Sequence, residues 1–505
     1  MFCKLNSFSL NGVDTLPVEV EVDLSDGLPG FDIVGLPDSA VKESKERVKS
    51  AIKNSGFKFP ARKITINLAP ADIKKEGSLY DLPIALALLG CMGEIPTNIL
   101  TSILFIGELA LDGSLRSVKG LLPILCNLSP QQFTYCIVPV TNQEEASLIQ
   151  KCPILLASHL NQVITFLKGD KNLEPCPPTT CSSSIPKEPL DFADIKGQEN
   201  VKRGLMLAAG GYHNAILIGP PGSGKTMLAK RLPSILPPLT LEEALDITKI
   251  YSVAQKLPHH GIIRMRPFRA PHHTISPIGL TGGGAHPKPG EISLAHHGVL
   301  FLDELLEFNR SALEVLRQPL EEHQVTISRA QTSITYPAHF LFIASTNPCP
   351  CGYYPDTKKC SCSLTEIKHY LRKLSGPLLD RMDLHLEAPS PTLEEMKKTS
   401  TTSSTMLYTH VIKVFELQKE RFKNQSFHWN SQIPSNRLND YCQLTAEAQR
   451  LLNNWFQHTA SSLRAYDKIL RLSLTIADFD NTSHIDSSQL AEALHYRLLD
   501  RQFWA

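Results

Sequence analysis

Ala215-Ile-Leu-Ile-Gly-Pro-Pro-Gly-Ser-Gly-Lys-Thr226 decides the fold of this chain. Four apolar residues lead into Gly219-Pro220-Pro221-Gly222-Ser223-Gly224-Lys225-Thr226, and Met227-Leu-Ala-Lys-Arg-Leu232 then favours a helix. A strand, a glycine-rich turn and a helix in that order make a P-loop, where backbone N–H groups and a helix N-terminus face phosphate. Lys225 then reaches the β- and γ-phosphates, and the Thr226 hydroxyl ligates Mg²⁺. The expectation is a nucleoside triphosphate site.

A second run, Gly298-Val-Leu-Phe-Leu-Asp303-Glu304, is continuously apolar and ends in two carboxylates. That is the pattern of a parallel strand buried on both faces. It reads as Walker B: Asp303 holds the Mg²⁺ hydration shell and Glu304 polarises the water that attacks the γ-phosphate. A third strand, Phe340-Leu-Phe-Ile-Ala-Ser-Thr-Asn347, places an amide where a water-positioning sensor belongs, between the two Walker strands. The other reading of Asn347 is a turn or N-cap before Pro348. Gly376-Pro-Leu-Leu-Asp-Arg381-Met-Asp383 offers an arginine at a domain edge, where a ring-forming ATPase presents it to a neighbour's γ-phosphate. Its alternative is a surface ion pair with Asp380 or Asp383.

Composition sets the limits. The chain has 505 residues, 42% of them hydrophobic and 20% charged, which is globular and long enough for three domains. Met1-Phe-Cys-Lys lacks the basic and apolar regions of a signal peptide, no terminal segment could span a bilayer, and a cytoplasmic protein is expected. A net charge of +1 excludes a broad basic face, so any DNA contact must be local, as in a lined pore. The 12 cysteines suggest thiols and metal rather than a disulfide framework. Cys349-Pro-Cys351 and Cys360-Ser-Cys362, eight residues apart, could place four thiolates around a structural Zn²⁺; unliganded thiols are the other reading.

Residues 168–190, rich in Pro, Ser and Thr, read as a linker, and Thr399-Ser-Thr-Thr-Ser-Ser-Thr405 as a second boundary. The expected organisation is an N-terminal α/β domain over 1–167, a nucleotide core over 191–398 and a helical region over 399–505. Gln324-Val-Thr-Ile-Ser328 and Thr332-Ser-Ile-Thr-Tyr-Pro337 flank a polar turn and predict a β-hairpin. His272, His273, His286, His296 and His297 crowd one Pro- and Gly-rich insert; their spacing is not that of a helical zinc site, so they are expected to hydrogen-bond backbone.

These residues carry a specific resemblance. Arg266-Pro-Phe-Arg-Ala-Pro-His-His-Thr-Ile-Ser276, Gly282-Gly-Gly284 and Pro289-Gly-Glu-Ile-Ser-Leu-Ala-His-His-Gly298 resemble the magnesium-chelatase-like AAA+ ATPases of the ComM/YifB family. Asn67-Leu-Ala-Pro-Ala71, Lys75-Glu-Gly77, Asp81-Leu-Pro83, Asn347-Pro-Cys-Pro-Cys-Gly-Tyr353 and Thr475-Ile-Ala-Asp478 extend the likeness over nearly the whole chain. The resemblance implies a P-loop AAA+ core, a parallel sheet with flanking helices, preceded by a Lon-protease-like (S5-type) α/β domain and followed by an α-helical lid. It implies ATP and Mg²⁺, a homo-oligomer, most commonly a hexamer, and DNA as partner. The activity would be a helicase promoting branch migration in natural transformation and recombination. It also implies a sensor role for Arg464, toward its own nucleotide or the next subunit's, although Leu472-Ser-Leu474 departs from the family's alanine and second arginine. The hairpin would enter the ring's pore with Arg329 on DNA phosphate, or else pack on a neighbour with Arg329 in a salt bridge. Two rivals remain. One is a chelatase-type motor acting on a protein partner. The other is a Lon-like protease, which Leu79 opposes by standing where the nucleophilic serine belongs. Ser78 beside it is either an offset nucleophile or a helix N-cap.

Overall fold

The computed structural model describes residues 1–129, 132–149, 151–178, 190–257, 262–284, 287–328, 333–397, 402–459 and 462–497. The chain divides into two compact units, Met1–Ser184 with Ala244–Ile263, and Ile185–Glu243 with Arg264–Ala505.

The first unit is built on a mixed eight-stranded sheet. Its long strand Asp14–Ser25 alternates cleanly: Val18, Val20, Val22 and Leu24 are buried, while Glu19, Glu21 and Asp23 are not. This two-residue period is what a sheet with one face on the core demands. The helix Asp81–Cys91 is apolar all round and buried along its whole length, as such a helix must be. Asp81 at its start is a buried carboxylate, and Ser44, Arg47 and the Leu109 N–H all bond to it. Burial drives its pKa up in spite of Arg47. Ser78 does not cap this helix; its hydroxyl bonds to Glu108 instead. Leu79 is in the core. The strand Glu174–Pro175 pairs with Ile154–Ala157, so the sheet runs on into the stretch read as linker.

The second unit has a five-stranded sheet in the order Phe268–Arg269, Val299–Leu302, Leu341–Thr346, Ala215–Ile218, Leu384–Glu387, with every pair parallel. The central strands are wholly buried, which explains their unbroken apolar runs. All five strands point their C-terminal ends to one edge, where ligands of open α/β sheets bind. Antiparallel pairing of Gln324–Ser328 with Ser333–Pro337 forms the hairpin; Arg329 lies outside the described residues, as does His286. Four longer helices, Ser404–Arg421, Ala446–Thr459, Leu463–Phe479 and Ser487–His495, make the C-terminal region. Polar groups tie it to the sheet. Thr475 meets His213 at 2.7 Å, Gln418 donates to the Gly210 carbonyl at 2.6 Å, and Lys468 meets Asp383 at 2.6 Å. Leu472 and Leu474 are buried, so the departure from the family pattern falls on the inner face of its helix. Among the described residues no helix is long and apolar enough to cross a membrane.

Candidate nucleotide-hydrolysis site

Three neighbouring strand ends assemble the site. The strand ending at Ile218 turns into the P-loop, and Gly222 and Gly224 adopt positive φ there, which lets the chain reverse before the helix Lys225–Arg231. A side chain at Gly219 would stand 2.1 Å from the Ala388 carbonyl, so only glycine lets the chain after the last strand lie against the loop. Lys225 is nearly buried, and its ammonium donates to the Gly219 and Pro220 carbonyls at 2.7 and 2.9 Å. Its third contact, at 3.2 Å, is Asn347 Oδ1. Burial lowers its pKa, and Asp303 and Glu304 oppose the shift. The order of strands puts Leu341–Thr346 between the two Walker strands, which carries Asn347 to the lysine. Asn347 is therefore part of this cluster.

Thr226 Oγ1 donates to Asp303 Oδ2 at 2.6 Å. A hydroxyl and a carboxylate oxygen this close, on the rim of the phosphate loop, fit a magnesium ion that keeps most of its waters. Asp303 also accepts from the Ser345 hydroxyl, and the Glu304 N–H donates to Ser345 Oγ at 3.2 Å. Ser345 was not legible as a site residue, although it shares a strand face with Asn347 two positions on. Glu304 has positive φ and a half-exposed side chain aimed out of the sheet end. His273 Nδ1 lies 3.6 Å from Glu304 Oε2. The backbone-bonding expectation holds for His296, which accepts from the His339 N–H, and for His272, whose ring accepts from the Thr274 N–H at 3.4 Å and also meets the Thr274 hydroxyl; His273 meets Glu304 instead, and His297 Nδ1 lies 3.5 Å from Glu243. Gln198 also escaped the sequence reading. Its amide bonds to the carbonyls of Ser223 and Pro389, and so clips the P-loop to the chain after the last strand.

Directly after Asn347 the four cysteines converge. Cys349 Sγ lies 3.4 Å from Cys351 Sγ and 3.8 Å from Cys360 Sγ, with 3.6 Å between the latter two, and Cys362 completes the group. Four sulfurs at the zinc–thiolate bond length form a tetrahedron with edges of about 3.8 Å. The set therefore fits a metal ion. The Gly352 and Tyr354 N–H groups donate to Cys349 Sγ at 3.2 and 3.4 Å, and the Tyr353 backbone pulls the Cys351 thiol down to about 6. The lowered value favours thiolate at Cys351. The knuckle touches the phosphate loop, since a side chain at Gly352 would meet Pro221 Cδ at 2.5 Å.

Arg381 and Arg464 are elsewhere. The Arg381 carbonyl accepts from Asn214, the residue just before the P-loop strand, so this arginine stands at the N-terminal edge of the sheet. A four-residue strand, roughly 13 Å long, separates that edge from the P-loop. Arg464 is at the same edge, and both arginines pair with Glu321, not with Asp380 or Asp383.

Comparison with known proteins agrees with this geometry. Residues 191–396 match the family described as magnesium chelatase, subunit ChlI; residues 20–142 match subunit ChlI of Mg-chelatase, and 401–497 its C-terminal part. The chain is 44% identical over 490 residues to YifB of Escherichia coli (strain K12), covering 97% of this chain and 96% of YifB. It is 42% identical over 495 residues to competence protein ComM of Haemophilus influenzae, again covering 97% and 96%. The chain belongs to the ComM/YifB family of magnesium-chelatase-like AAA+ ATPases. As a ComM/YifB protein it is an AAA+-type ATPase, and the cluster of Lys225, Thr226, Asp303, Glu304 and Asn347 is where that chemistry would be sited. The 38 kDa magnesium-chelatase subunit of Cereibacter sphaeroides is more distant, 24% identical over 180 residues and 32% of this chain.

Proposed function

We propose that this ComM/YifB chain is one subunit of a ring, most simply a hexamer, that uses ATP hydrolysis in the cytoplasm to move DNA, as a helicase promoting branch migration during natural transformation and homologous recombination. In this reading Lys225 and the P-loop amides hold the phosphates, and Glu304 polarises the attacking water while Asn347 orients it. Mg²⁺, held through Thr226 and Asp303, would neutralise developing phosphate charge. Arg381 and Arg464 then complete the site of the neighbouring subunit. The observation that carries the ring is their distance from their own P-loop, at the opposite edge of the sheet. Zn²⁺ on Cys349, Cys351, Cys360 and Cys362 would brace the loop between Asn347 and Pro221.

The DNA part is supported by the near-full-length likeness to a competence protein and by the hairpin of Gln324–Ser328 and Ser333–Pro337, whose first strand Arg329 follows in the sequence. A chelatase-type motor is less favoured, because the chain is 44% and 42% identical to YifB and ComM over 97% of its length but only 24% identical to a magnesium-chelatase 38 kDa subunit, over 32% of it. A Lon-like protease has no support where Leu79 is core and the Ser78 hydroxyl is bonded to a carboxylate. The test is steady-state ATPase activity with forked, single-stranded and Holliday-junction DNA at several salt concentrations. Stimulation that weakens as salt rises is expected, and Arg329→Ala should remove it while basal hydrolysis persists. No stimulation by any DNA at low salt would refute the DNA assignment.

A further inference from the structure

Arg381 and Arg464 share one carboxylate oxygen. Both guanidiniums bond to Oε1 of Glu321, the second at 3.5 Å. Arg381 is only 11% exposed, and its Nε meets no acceptor among the described residues. Arg317, at the start of the helix Arg317–Glu322 that carries Glu321, is paired with Glu314 at 2.7 Å. It still presses on Arg381: burial lowers the Arg381 pKa, Glu321 raises it, and Arg464 and Arg317 lower it further. Two of these guanidiniums, Arg381 and Arg464, thus share one half-exposed carboxylate, with Arg317 and its partner Glu314, and Asp380, close by. Glu321, Arg381 and Arg464 line a polar cleft of about 450 Å³ that opens to solvent. A guanidinium fork grips carboxylate and phosphate with the same geometry. An arriving phosphate must therefore compete with Glu321 for both arginines.

We infer that Glu321 is a positioning residue that occupies the seat of the neighbouring subunit's γ-phosphate, holding Arg381 and Arg464 in register and releasing them to the phosphate. The inference rests on the proposed trans role of the two arginines. Its consequence is that contact with a neighbour's nucleotide is an exchange of anions and not a simple addition. The carboxylate keeps the arginines aligned, which lowers the ordering needed later, but it weakens net binding of the phosphate. Removing its charge should tighten the interface.

Glu321→Gln keeps the size of the side chain and removes the charge. In the full-length protein, KM and kcat for ATP would be measured beside ATP-dependent self-association by analytical ultracentrifugation. An ion pair as exposed as these shifts an equilibrium by up to about fivefold. The expected result is a KM and an assembly midpoint lower by about fivefold, with kcat moving less than KM, and Glu321→Asp restoring values toward wild type. In an Arg381→Ala background, read by the assembly midpoint because turnover is lost there, the Glu321→Gln effect should shrink below about twofold, because one of the two arginines it competes for is gone. An unchanged or raised KM in Glu321→Gln, or an equal effect in both backgrounds, overturns the inference. The trans reading is judged separately. Wild-type kcat in Arg381→Ala would remove it, and this inference with it, whatever Glu321→Gln shows.

Discussion

Gly352→Ala tests whether the cysteine knuckle supports the phosphate loop. Gly352 has φ +87°, a conformation that costs an L-residue roughly 1 kcal/mol. The added methyl would also stand 2.5 Å from Pro221 Cδ and 2.8 Å from Pro221 Cγ. Ordinary carbon contacts lie at about 3.5–4.0 Å, so knuckle and loop must part by about an ångström. A proline ring cannot swing aside as a long side chain would. The knuckle is held by its sulfur cluster and the buried Cys349, so the displacement falls on the P-loop. A misplacement of that size at a reacting centre can cost about 10²-fold in rate. The expected outcome is kcat/KM for ATP reduced by between about 10- and 100-fold, with global stability lower by only about 1–2 kcal/mol. Steady-state ATPase assays, urea unfolding and elemental analysis would be run together. Zinc content should equal that of the wild type, since no ligand is touched. Wild-type turnover and nucleotide affinity would show that the knuckle and loop move independently, and refute the strut.

The remaining predictions concern separate parts of the site. Lys225→Ala should weaken nucleotide binding, whereas Glu304→Gln should bind ATP normally and lose turnover by at least about 10²-fold; filter binding with steady-state rates checks both. Arg381→Ala and Lys225→Ala, each inactive alone, should recover activity when mixed under proven subunit exchange, because one supplies the finger and the other the site. Burial works against both charges of the Lys468–Asp383 pair: it prevails at Lys468, while at Asp383 it is outweighed by Lys468 and His213, which hold the carboxyl well below its usual range. A depressed folded-state pKa is stabilisation that is complete above about pH 4 and lost as pH falls below it. Lys468→Met should therefore destabilise by about 3 kcal/mol near neutrality, by leaving a buried charge unpaired. The loss should shrink in acid as Asp383 takes a proton, and urea unfolding at about pH 7 and about pH 3, below the unfolded-state carboxyl pKa, reads it; an equal loss at both values argues against the pair.

Local patterns carried much of this molecule. The P-loop is a contiguous stretch whose glycines, lysine and threonine act within one turn, so its residues are readable wherever they occur. The buried parallel strands announced themselves as apolar runs because both of their faces are covered. The cysteines are near enough in sequence for two turns to gather them.

Contacts between distant segments were not legible in the same way. Nothing in the spacing of Asn347 and Lys225 places one on the other; strand order does. Ser78 has the composition of a helix cap and bonds to Glu108 because the sheet brings that carboxylate across. His273 reaches Glu304 from the insert, and Gln198 ties the P-loop to a strand that comes far later in the chain. Glu321 is one acid in an ordinary charged helix by sequence, and only packing sets it between Arg381 and Arg464. The reason is physical. Residue type and short-range spacing determine what a backbone turn can do, whereas which charges meet depends on how parallel strands and a helical region stack. The sequence by itself determined the nucleotide-binding chemistry, and the tertiary structure alone decided which arginines stand away from it.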